Sequence, residues 1–61
     1  MSALLETARR VRAAHRSALA LGQPSHVAFA LAAAACRRAD PDLTREAAER
    51  LTLFYLDRQA A

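Results

Sequence analysis

Apolar side chains fall along the chain in three helical patterns separated by two breaks. In the first, Leu4, Ala8, Val11, His15 and Ala18 recur at spacings of four and three, and Leu5, Leu19 and Leu21 widen that stripe at its edges. This predicts a helix over about 3–21. Its opposite side carries Arg9, Arg12 and Arg16, and Glu6 stands four residues before Arg10 at the spacing that favours an ion pair. Gly22 falls where a left-handed residue ends a helix, and Pro24 stops continuation.

The middle of the chain, from Val27 to Cys36, is apolar at every position, so as a helix it has no face to offer water. Such a run spans about 15 Å, half the hydrocarbon core of a bilayer, which excludes a transmembrane reading on length. A helix over about 25–38, enclosed by the segments on either side, is the expectation. Ser25 is its candidate N-cap, with Pro24 as first helical residue the alternative, and Arg37 and Arg38 suit the negative end of its macrodipole. The connection to the first helix is short, so the two pair antiparallel.

Asp40-Pro41 supplies the next start signal, with Thr44 as a second cap in the same segment, and predicts a third helix over about 41–59. Leu43, Ala47, Leu51, Phe54 and Tyr55 lie along one side of it, with Ala48 at the border. Leu53 and Leu56 fall roughly opposite, which gives this helix a second apolar face. The pattern as a whole predicts a single all-α domain, a compact three-helix bundle with an Ala-rich central helix between the other two. Strand signals, internal repeats and low-complexity linkers are missing from the sequence.

Composition shows how little such a bundle has to bury. A chain of 61 residues hides only about 60% of its unfolded surface. Seventeen residues are Ala, nine are Leu, and Phe29, Phe54 and Tyr55 are the aromatics. Proteins of this size usually add disulfides, a metal or oligomerisation. The single Cys36 excludes an internal disulfide. His26 and Cys36 lie about 15 Å apart along one helix, so with His15 they do not form a metal site within one chain. Self-association or a partner is therefore the expected supplement.

The net charge of +3 raises nucleic acid as a partner. All nine basic residues are Arg, and Lys, Asn and Ile are absent, the signature of a GC-rich coding sequence, which lowers the weight of the charge. Arg9, Arg12 and Arg16 form a basic ridge that could follow phosphates, with Arg37 and Arg38 near its start, yet no aromatic is interleaved for stacking on bases. The segment Leu43-Thr44-Arg45-Glu46-Ala47-Ala48-Glu49-Arg50-Leu51 resembles the first helix of a helix-turn-helix motif. That resemblance implies a turn and a reading helix within 43–61, but Thr52-Leu53-Phe54-Tyr55 continues the helical pattern where the turn belongs.

Candidate chemistry is sparse. His15, in the apolar arc of the first helix, is expected to be a satisfied core or interface histidine, with a pH-responsive group as the sharper alternative. Glu46 and Glu49 are expected to be solvated or paired with Arg45 and Arg50. The sequence contains no nucleophile triad pattern or Gly-rich phosphate loop, and the expectation is a protein that is not an enzyme and takes no cofactor or metal. Residues 1–22 are Arg-rich, Ala-rich and nearly free of acids, as transit peptides are. They are read as structural, and with no continuous apolar h-region at the start the expectation is a cytoplasmic protein of a bacterium or phage.

The sequence thus points to a small helical regulator, adaptor or inhibitor that acts through a helix face as a homodimer or on a larger protein. Leu53, Leu56, Tyr55 and Leu5 are the expected interface. The competing expectation is a basic nucleic-acid-binding protein or transcriptional regulator that uses Arg9, Arg12, Arg16, Arg37 and Arg38 or the segment 43–61.

Overall fold

Each helix in the computed structural model ends where local backbone chemistry ends it. The structure describes the backbone of residues 2–60 and the side chains of residues 4–57, with helices α1 (Ser2–Ala20), α2 (Ser25–Ala39) and α3 (Arg45–Ala60). The fold is the expected all-α three-helix bundle. Gly22 ends α1 at φ +87°, with its N–H donating to Leu19 O at 3.0 Å and the Gln23 N–H to Ala18 O at 3.0 Å. These paired bonds are a Schellman motif, which the positive φ of glycine permits without strain.

α2 starts at Ser25, as its expected bounds have it, but neither anticipated cap assignment is used. Pro24 itself holds the N-cap position at φ −65° and ψ 159°, and its carbonyl accepts from Val27 and Ala28, both at 3.0 Å. Proline suits this place because its fixed φ is compatible with the extended cap and its missing N–H has no helical partner to lose. α3 begins four residues later than Pro41, since Thr44 caps it by accepting from the Ala47 N–H at 3.1 Å. Asp40 instead closes α2, and its carboxylate accepts from the Asp42 N–H at 3.3 Å across the turn.

α2 packs on both α1 and α3, which touch each other least. The buried core is built from small residues: Ala8, Val11, Ala18, Ala28, Ala32, Ala33, Cys36, Ala48 and Thr52, with Tyr55 the exception in size. The Thr52 hydroxyl donates to Ala48 O at 2.7 Å, so this buried polar group is satisfied inside its own helix. Leu43, Leu51 and Leu56 pack partly buried against that core. The radius of gyration is 10.6 Å, equal to the roughly 10.5 Å of a globular chain of this length. Close helix approach over alanine is what reaches that size.

Three sequence expectations are corrected here. The run from Val27 to Cys36 is not enclosed on all sides, because Ala30, Leu31 and Ala34 are exposed. Leu4 at 70% exposure and Phe54 at 54% lie outside the core in which their stripes placed them. On α3 the buried line is Ala48, Thr52 and Tyr55, turned by about 100° from the line through Ala47, Leu51 and Phe54. Leu56 borders this core instead of facing away from it. Small side chains take the centre because they let the helix axes come together, and the bulkier ones on the flanks are pushed to the rim.

Two stability outcomes follow. Gly22→Ala is expected to destabilise the fold by about 1 kcal/mol through the left-handed backbone alone, because a Cβ there meets nothing within 4 Å. Gly22→Asn should lose less. Ala32→Leu, at a fully buried contact, should cost about 1–3 kcal/mol by forcing helices apart. Urea denaturation monitored by circular dichroism measures all three.

Candidate interaction surface

The leucines lie largely on the outside. Of nine Leu, six are exposed: Leu4, Leu5, Leu19, Leu21, Leu31 and Leu53. The other three, Leu43, Leu51 and Leu56, are only partly buried. Scattered exposed leucines are ordinary, but several of these converge on one place.

Between α1 and α3 runs an apolar groove of about 360 Å³ lined by Leu4, Leu5, Ala8, Arg12, Leu51, Phe54 and Tyr55. α1 contributes successive turns of its N-terminal half, and α3 contributes the flank on which Leu51 and Phe54 stand beside the core line. Phe54 meets Tyr55 edge-on, with ring centroids 5.9 Å apart and an interplanar angle of 64°. Tyr55 therefore closes the floor while Phe54 stands up into solvent. Arg12 is the charged member of the lining, half-buried and without an ion pair among the described residues.

Of the four residues expected to form an interface, Leu5 and Tyr55 share this groove. Leu53 does not. It is 60% exposed and lines a separate, open depression with His15, Ser25, His26 and Phe29. Leu56 faces the core. His15 is half-buried at that second depression, and the pairing of His15 with His26 on neighbouring helices was not legible from their separation in sequence. Leu4, Leu51 and Phe54 are the groove residues that sequence reasoning assigned to the core instead.

The arginines do not make one surface. Arg9 and Arg10 both engage Glu6, at 3.8 Å and 3.2 Å. Arg12 turns into the groove, and Arg16 is exposed. Arg37 lines a cleft between α2 and α3 with Ala30, Ala33, Ala34, Arg45 and Glu49, and Arg38 flanks Pro41 beside it. Arg45 pairs with Glu49 at 3.5 Å and Arg50 with Glu46 at 3.8 Å. These exposed pairs each contribute a few tenths of a kcal/mol. α3 runs unbroken from Arg45 to Ala60, so the likeness to a helix-turn-helix ends with its first helix.

Beneath the groove, Cys36 is fully buried as a free thiol. Burial pushes its thiol up, a hydrogen bond with the Thr52 side chain offsets part of that, and Asp40 adds to the rise. Burial also raises the Tyr55 hydroxyl, with the nearby Cys36 adding to it. Among the described residues no group of three or more His, Cys, Asp or Glu could hold a metal, and no helix is long and apolar enough to cross a membrane. No protein-family model, curated protein or solved structure matches the chain. The fold and this surface define the class: a three-helix domain with a small-residue core and an apolar groove.

Two buried acids weaken the fold at alkaline pH. Both keep their protons in the folded state to higher pH than in the unfolded chain, so the contribution of Cys36 is lost as pH rises above about 8.5 and that of Tyr55 as it rises above about 10. Stability is therefore expected to fall from about pH 8.5 to 11, and in Cys36→Ala the fall should begin only near pH 10, where tyrosine ionises. Urea denaturation across that range shows the difference; identical profiles for the two proteins would refute it.

Proposed function

We propose that the protein is a small non-enzymatic interaction domain, a helical regulator, adaptor or inhibitor that binds protein through an apolar helix surface and does so as a homodimer. The observation that carries this reading is the inverted size order of the fold. Alanines, Val11, Cys36 and Thr52 fill the interior while Leu4, Leu5, Leu53 and Phe54 stand at 54% to 70% exposure. A chain with this little to bury gains stability from any contact that removes those side chains from water. Recognition then rests on apolar anchors, with neighbouring charges fixing register and partner.

A second reading, nucleic-acid binding, is supported by Arg12, Arg16, Arg37 and Arg38, which form no ion pair among the described residues. They are divided between the groove wall, the outside of α1 and the end of α2, which favours the protein-binding reading over a continuous phosphate track.

Light scattering with refractive-index detection across a dilution series separates these readings, since the chain has one Tyr and no Trp. A concentration-dependent dimer that persists at high salt is expected. A monomer at every concentration, with duplex affinity that falls steeply as salt rises, would overturn the protein-binding reading in favour of nucleic acid.

A further inference from the structure

We propose that the α1/α3 groove is the dimer interface and that its occupant is the same face of a second copy, an assignment that rests on the homodimer reading above. Two observations favour the contact there over one at Leu53. The first is composition. Among the described residues the groove gathers three leucines and two aromatic rings, Leu4, Leu5, Leu51, Phe54 and Tyr55, whereas the depression at Leu53 is lined by Phe29 and three polar residues, His15, Ser25 and His26. Interface cores are enriched in aromatic side chains.

The second is charge. Arg12 in the groove wall has no ion pair among the described residues, and Asp57 is exposed and likewise without one. Asp57 follows Phe54 by three positions on α3, so a copy that presents Phe54 to the groove brings a carboxylate from the same side of the helix. In an isologous contact each copy offers both the cation and the anion, and the pairing occurs twice.

Leu5→Glu and Phe54→Glu each place a charge at an exposed position of the groove, and Leu53→Glu does the same outside it. Light scattering should show the dimer dissociation constant raised at least about tenfold by the first two and unchanged by the third, as expected for loss of buried anchors. Circular dichroism confirms the helical fold of each variant. A charge exchange guards against an effect on folding alone: Arg12→Asp should weaken the dimer, and adding Asp57→Arg to it should restore association.

Dimers that survive both groove substitutions, or that are lost only in Leu53→Glu, would overturn the groove as the interface while leaving the homodimer in place. Failure of the charge exchange to restore a weakened dimer would overturn the pairing of Arg12 with Asp57. A wild-type chain that is monomeric throughout would overturn the homodimer itself, and a groove that then captured only a foreign amphipathic helix would assign it to another partner.

Discussion

Close approach of three helices over alanine is the constraint on which the rest of this structure depends. Ala8, Ala28, Ala32, Ala33 and Ala48 put little volume between the helices, and Val11, Thr52 and Cys36 are the largest fully buried side chains. A contact of this kind gains dispersion energy from close packing but removes modest apolar area from water. It is also intolerant: with backbones this near, there is no room between them for leucine. The same sequence that gives a globule of normal dimensions thereby sends its leucines to the rim. Exposure of Leu4, Leu5 and Phe54 is a consequence of how the core is built.

The apolar groove follows from that displacement. α2 holds α1 and α3 on its two sides, so the side chains flanking the core line on α3 overhang the gap to α1. Tyr55 lies on the buried line of α3 and also lines the groove, whereas Phe54, one position earlier and about 100° round the helix, is left at the rim. Arg12 extends along the wall, where its aliphatic stem covers apolar surface and its guanidinium stays available to an anion.

Much of the fold was legible in the chain because helix boundaries are written in single residues. Gly22 marks its Schellman turn because the missing Cβ is what a left-handed position favours. The start of α3 was harder because Asp40 and Thr44 both carry cap chemistry, and the hydrogen bond from Ala47 to Thr44 decides between them. The site was less legible, and the reason is physical. Hydrophobic periodicity weights large side chains, so it drew the core of α3 through Leu51 and Phe54 and set Leu56 on the far side. The structure draws it through Ala48 and Thr52, a methyl and a hydroxyl that periodicity discounts. When packing is governed by how near two helices can come, the smallest residues define the inward face.

This geometry also joins stability to association. The α1/α3 contact is the least extensive in the fold, and the groove lies along it. An occupant seated on Leu4 and Leu5 from one helix and on Leu51 and Phe54 from the other would span both and hold them together. It would bind only the folded chain, because those four residues converge only when α1 and α3 are docked on α2. Binding of that kind raises the free energy of unfolding by mass action. A core of alanine and a rim of leucine are then two parts of one arrangement, in which the domain closes most firmly when its groove is filled.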